Sequence, residues 1–204
     1  MGLMKRLALM ALGSMTTLAA CGSFGAAPDG SGSGRIISVK TEYATQLATA
    51  NQPGQYVGCD RITNPSDLTR ASKTQVVVDF AAAGDIDSVR VELRGDRTNE
   101  YDRFFVTDVP AGSLKKRSDG TYAVIFDANS ATGQFLPNSI VVNPTELPIK
   151  PVTVNEANRV PGGFYADLTI RTKTSVFTLT SRNLGLTPVY RQCTLASAAQ
   201  PLNQ

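Results

Sequence analysis

The chain has no histidine and no tryptophan in 204 residues. Without an imidazole, no Ser-His-Asp or Cys-His arrangement can form and no histidine can ligate a metal, which removes most hydrolase mechanisms. Without an indole, no core can centre on tryptophan, and an aromatic platform for sugar would have to come from eight Phe and six Tyr. Excess charge is also scarce: 20 basic side chains stand against 17 acidic ones, and Lys5 and Arg6 lie in the extreme N-terminus. Nucleic acid is excluded as a partner on electrostatic grounds. The basic run Lys115-Lys116-Arg117 sits between Pro110-Ala111-Gly112 and Ser118-Asp119-Gly120, which predicts a solvated hairpin tip. No apolar run is long enough for a transmembrane helix. The one starting at Leu7 reaches about fourteen residues, against roughly twenty needed to span a bilayer, and Gly13, Ser14, Thr16 and Thr17 dilute it. Cysteine is limited to Cys21, Cys59 and Cys193, with no Cys-x-x-Cys spacing of a redox site.

What the N-terminus does have is Lys5-Arg6, the apolar run from Leu7, and Leu18-Ala19-Ala20-Cys21. A basic start, a short apolar core and small residues before the cut describe an export signal. The segment resembles the signal peptide and lipobox of bacterial lipoproteins. The resemblance implies that residues 1–20 are removed and that Cys21 carries acyl chains. The mature protein would then be held outside the cytoplasm at a membrane of the cell envelope. Gly22 stands where an Asp resembles an inner-membrane retention signal, so an outer-membrane destination is favoured. Residues 21–34, rich in Gly and Ser, predict a lipidated flexible tether about 20 Å in end-to-end distance. With Cys21 taken by lipid, Cys59 and Cys193 remain as an even pair in an oxidising compartment, where a disulfide is the simplest outcome and two buried thiols the alternative. The long loop it closes is worth about 4–5 kcal/mol in the chain-entropy description.

Residues 35–204 are enough for one well-buried domain, and their patterning is that of strands. Thr74-Gln75-Val76-Val77-Val78-Asp79-Phe80 is β-branched and ends in a turn. Val89, Val91 and Leu93 alternate with Arg90, Glu92 and Arg94. Phe104-Phe105-Val106 and Tyr122-Ala123-Val124-Ile125-Phe126 are short apolar runs. Phe164–Arg171 and Ser175–Thr180, separated by Thr172-Lys173-Thr174, read as a hairpin. Seven to nine short strands predict an all-β sandwich. Val39, Tyr43 and Leu47 fit either a short helix or a strand edge. Val76 to Phe80, followed by Gly84-Asp85-Ile86, Val89, Val91, Leu93 and Gly95, resembles the B–C strand pair of bacterial immunoglobulin-like and fibronectin type III-like domains. Pro161-Gly162-Gly163-Phe164-Tyr165 resembles their F strand, which implies that Tyr165 turns the corner and bonds to backbone. Cys59 and Cys193 lie outside the matched strands, so their bridge would staple an N-terminal extension to the last strand near Val189-Tyr190-Arg191-Gln192. Residues 129–161, with Pro137, Pro144, Pro148, Pro151 and Pro161 and a strand-like Ile140-Val141-Val142, read as a Pro-rich insertion of extended, solvent-facing or edge structure.

Short motifs add little chemistry. Ser113-Leu114-Lys115-Lys116 has the Ser-x-x-Lys spacing but falls in a polar turn, without a helix to aim the two side chains. Asp85-x-Asp87, and Asp96 with Asn99, Glu100 and Asp102, offer oxygen ligands for calcium without the twelve-residue calcium loop. Arg94-Gly95-Asp96 matches the adhesion tripeptide at a strand end. No catalytic, cofactor-binding or metal-ligating residue is assigned. The sequence therefore predicts a lipid-anchored, non-enzymatic envelope protein, a protein-interaction or structural module with an envelope protein as partner. The alternative is a carboxylate-dependent extracytoplasmic enzyme or a small-ligand or carbohydrate-binding lipoprotein, with its pocket under the Pro-rich insertion.

Overall fold

In the computed structural model, residues 23–46, 53–63, 73–97, 106–129 and 145–196 are described, and their secondary structure is almost entirely β. Residues 1–20, which the sequence reads as an export signal, and Cys21 lie outside the described residues, as do Leu47, Phe104, Phe105 and Ile140-Val141-Val142.

Period-two alternation fixes how the strands face. In the strand Phe164–Thr172 (β13), Phe164, Ala166, Leu168 and Ile170 are buried while Tyr165, Asp167 and Thr169 are only partly covered. The neighbouring strand Ile86–Gly95 (β8) pairs with it antiparallel, setting Val91 opposite Leu168 and Val89 opposite Ile170. Val176–Thr180 (β14) closes the expected hairpin on one side of β13, and Val106–Pro110 (β9) pairs with β8 on the other. The sheet order is β14-β13-β8-β9. Its outer face carries the intervening polar residues as an ion-pair ladder: Arg94 meets Asp167 at 2.8 Å and Glu92 at 2.6 Å, and Arg90 meets Glu92 at 3.5 Å.

A second sheet lies on the inner face of the first. The strand Lys73–Gly84 (β7) stands between Gly32–Thr41 (β2) and Tyr122–Asn129 (β11), and Phe24–Ala26 (β1) and Lys115–Lys116 (β10) form its edges. Ile36, Val76, Val78, Phe80 and Val124 from this sheet join Val89, Val91, Leu93, Leu168 and Ile170 from the other in one core. From Thr74 to Phe80 every residue of β7 is buried, because the strand is covered on both faces. Val76, Val78 and Phe80 enter the main core, and Val77 packs with Ala123 and Ile125 on the opposite side.

The expectation of a flexible tether from Cys21 to Gly34 is corrected over residues 23–34. Phe24 pairs with Arg35, Ala26 pairs with Ser33, and Gly34 lies opposite Ala82 of β7. The glycines answer to close packing, not to freedom of the chain. A side-chain carbon at Gly25 would overlap the Thr178 carbonyl and Leu179 of β14, and one at Gly34 would stand 2.9 Å from the Ala81 carbonyl oxygen. These strands let the edges of the two sheets approach.

A smaller sheet is assembled from distant parts of the chain. Tyr43–Gln46 (β3), Pro53–Tyr56 (β4) and Ile62–Thr63 (β6) combine with Lys150–Val154 (β12) and Cys193–Leu195 (β16) in the order β4-β3-β12-β16-β6. Beside it, Gly58–Cys59 (β5) pairs in parallel with Val189–Tyr190 (β15). Val39 and Tyr43 therefore belong to strands and not to a helix. Within the Pro-rich segment, Lys150–Val154 holds the middle of this sheet, pairing with β3 and with β16, so the expectation of edge or loop structure does not hold there. Pro151 fits a central strand because its carbonyl still accepts a hydrogen bond, from the Ala196 N–H at 3.0 Å.

Candidate functional site

The disulfide between Cys59 and Cys193 is present, with Cα atoms 5.8 Å apart. It joins the N-terminal extension to the last strand, as expected, and both cysteines are fully buried among Tyr43, Val57, Ile62, Val152 and Tyr190.

Next to it stands Asp60, 5 % exposed, whose Oδ1 is buried and has no hydrogen-bond partner. Its backbone N–H donates to the Tyr190 carbonyl at 2.9 Å, which fixes the residue in place. Burial pushes the carboxyl up from 3.8 to about 7, with the Arg191 charge pulling in the opposite direction. Asp60 thus exchanges its proton near neutrality. Around the corner, the Tyr190 hydroxyl donates to Glu156 Oε1 at 2.7 Å. Burial first, and then the Glu156 hydrogen bond, hold the tyrosine above its ordinary range, so it remains a donor. An open recess of about 240 Å³ on the same sheet is lined by Thr153, Val154, Asn155, Asn158, Gln192 and Thr194. Ligand pockets are usually larger, at roughly 300–1,000 Å³, and mostly apolar.

A second polar centre lies on the outer face of the β2-β7-β11 sheet and treats its carboxylates differently. Asp79 is also 5 % exposed, but Ser38 Oγ donates to it at 2.9 Å, Lys40 Nζ lies at 3.0 Å and Arg117 Nη2 at 2.8 Å. The same Arg117 nitrogen reaches Glu146 Oε2 at 2.8 Å. The Gln75 amide clamps the segment after Pro144: its Nε2 donates to the Thr145 carbonyl at 2.9 Å, and its Oε1 accepts from the Leu147 N–H at 2.7 Å. Glu42, fully buried, accepts from the Gln75 N–H at 2.7 Å and faces Lys150 at 3.8 Å. Buried charges of this kind are tolerated when paired and hydrogen-bonded. The cluster fastens the start of the third sheet's central strand onto the main body.

Several sequence expectations change in this setting. The 115–117 run does form a hairpin turn, with Arg117 N–H donating to the Thr121 carbonyl at 2.8 Å. Arg117 itself is turned back onto the sheet and is not simply solvated. Lys116 of the Ser-x-x-Lys motif lies 5.8 Å over the Tyr122 ring. Arg94 and Asp96 of the adhesion tripeptide are both engaged within the molecule, Arg94 by Asp167 and Glu92, and Asp96 by Arg182 at 2.8 Å. Tyr165 lies on the outer face of β13, half-buried, with the Arg182 guanidinium 5.5 Å from the centre of its ring. Asp85 pairs with Lys173, while Asn99, Glu100 and Asp102 lie outside the described residues. Among the described residues no three Asp, Glu or Cys side chains converge as a metal site requires, and no helix is long and apolar enough to cross a membrane. Asp60 was not singled out from sequence; its only signal is adjacency to Cys59, whose pairing buries its neighbour. Comparison of the chain with protein-family models, with curated proteins and with solved structures gives no match.

Proposed function

We propose that this chain is an exported lipoprotein, acylated at Cys21 and anchored in the cell envelope, where its β-domain serves as a non-enzymatic interaction or structural module. The observation that carries the reading is the buried Cys59–Cys193 bridge downstream of Leu18-Ala19-Ala20-Cys21. A structural disulfide belongs to an oxidising compartment, and the export signal supplies the route to one. The charged side chains support a non-catalytic role: Asp79, Arg117, Glu146, Glu42 and Lys150 bind one segment of the chain to another.

The domain is read as immunoglobulin-like. In such domains strands A, B, E and D oppose C, F and G, and the order β1-β2-β7-β11-β10 facing β14-β13-β8-β9 corresponds to A-B-E-D against G-F-C with β1 and β9 as added edge strands. The chain passes from the first sheet to the second between β7 and β8, as a B–C connection does. The disulfide-stapled sheet is an addition to that plan.

The test has two parts. Mass spectrometry of the mature N-terminal peptide is expected to find Cys21 acylated, and an unmodified Cys21 overturns the anchor. A mild-detergent pull-down of the lipidated protein from its own envelope is expected to recover one envelope protein in stoichiometric amount. Recovery of the lipoprotein alone, with a small ligand in the Thr153–Gln192 recess, overturns the interaction role.

A further inference from the structure

We propose that the domain sits directly on the membrane that holds its anchor, in a fixed orientation, with Phe24, Arg35 and Ile37 in the lipid headgroup region. The proposal rests on acylation of Cys21. A typical lipoprotein spacer would let the body float, and the sequence alone reads as such a spacer, yet Ser23, two residues after Cys21, is fastened to the domain. The Ser23 hydroxyl donates to the Ile36 carbonyl at 2.6 Å, the Ile36 N–H donates back to the Ser23 carbonyl at 3.1 Å, and Ser23 is buried. From Cys21 to Phe24 the chain can extend no more than about 11 Å. The acyl chains therefore bring the β1 edge to the bilayer surface.

The side chains at that edge suit the place. Phe24 is 61 % exposed and Ile37 42 %, two of the four large apolar side chains that the described surface leaves open. Phe24 is paired across the ladder with Arg35, which is exposed on the same face. Ile37 is the extra residue where the β2–β7 register shifts, and the bulge pushes it outward. An aromatic ring, a branched aliphatic chain and a guanidinium together fit the boundary between acyl chains and phosphate groups. Apolar atoms gain from burial a few ångströms deep, and an arginine stem can lie along them while its head meets phosphate. The committed partner is the lipid surface itself, not a second protein.

The absence of native tryptophan makes the test direct. Phe24→Trp and, as a reference, Thr153→Trp each place a single indole in the full lipidated protein. Thr153 is exposed in the smaller sheet, which begins only after the seven residues of β2 from Arg35 to Thr41, about 20 Å of strand. Both proteins are reconstituted into vesicles of phosphatidylethanolamine and phosphatidylglycerol, with and without brominated acyl chains. The expected result is a blue shift and loss of emission for F24W and no loss for T153W, with emission of F24W regained when a Gly/Ser linker of about ten residues is inserted between Gly22 and Ser23. Equal, unquenched emission from both proteins, with Cys21 shown by mass spectrometry to be acylated, overturns the seated orientation and leaves the anchor standing. An unacylated Cys21 overturns both.

Discussion

The two cores of this molecule are built on different terms. Between the main sheets, the described core has seventeen buried residues, and all but Ala27 and Val189, among them Phe80, Leu168 and Ile170, come from strands of up to 12 residues in antiparallel register. Around the disulfide, seven buried residues suffice, two of them the cysteines themselves, and the strands β5, β6 and β15 are 2 residues long. A long ladder brings enough side chains together to hold without covalent help. A patchwork of short strands does not, because each ordered residue loses conformational entropy while contributing little burial. The smaller sheet is held by the bridge and by the Gln75, Glu42 and Arg117 clamps.

The largest effect is expected from removing the bridge. The paired Cys59→Ala and Cys193→Ala variant should lose about 4–5 kcal/mol, given a sequence separation of 134. Hydrogen exchange should speed up first at Val152, Tyr190 and Thr194 while the amides of Val78 and Leu168 keep their protection. Uniform loss of protection would erase the distinction between the cores. Leu168→Ala, in the main core and fully buried, should cost about 3 kcal/mol in chemical denaturation, with the bridge intact and no preferential opening of the smaller sheet.

A third prediction concerns the buried Asp60. Asp60 is raised from 3.8 to about 7, so between those values the unfolded chain has released its proton while the folded chain keeps it. Its contribution to stability is therefore undiminished below about pH 4, falls as pH rises toward 7, and is level above that. Solvent screening of the carboxyl leaves roughly half of what the full displacement would give, so denaturation curves across this range should show a loss on the order of 2 kcal/mol, abolished by Asp60→Asn. A wild-type slope that survives in the Asn variant would assign the effect elsewhere. The smallest change concerns the clamp: Gln75→Leu removes the bonds to Thr145 and Leu147 and should cost about 1–2 kcal/mol. Faster exchange at the Leu147 amide would locate the loss, and an unchanged rate would show that the segment is held by other contacts.

The long strands were readable in the sequence because their period is visible over many residues. Val89 to Arg94 and Phe164 to Arg171 announce one buried and one outward face, and the turn at Lys173 announces the hairpin. The bridge was readable from the even cysteine pair left once Cys21 is set aside. The smaller sheet was not, since segments such as Gly58-Cys59 or Ile62-Thr63 are too short to carry a period and find parallel partners some 130 residues away. The glycines of β1 and β2 misled for another reason. Composition alone cannot separate a glycine that permits motion from one that permits contact, and Gly25 and Gly34 are of the second kind. Asp60 carries no motif at all; its character comes from what surrounds it.

The parallel pairings of β3 with β12, β5 with β15 and β6 with β16 also set an order of assembly. A chain that emerges N-terminus first during synthesis presents Tyr43 to Thr63 early, with unpaired strand edges and a lone Cys59 thiol. It can complete that region only when Lys150 to Leu195 has followed. Contacts of such long range are slow to form and leave nascent chains open to aggregation and wrong thiol partners. The last fifty residues thus act as the closing step of folding, and a chain shortened before Cys193 would keep its first strands permanently waiting.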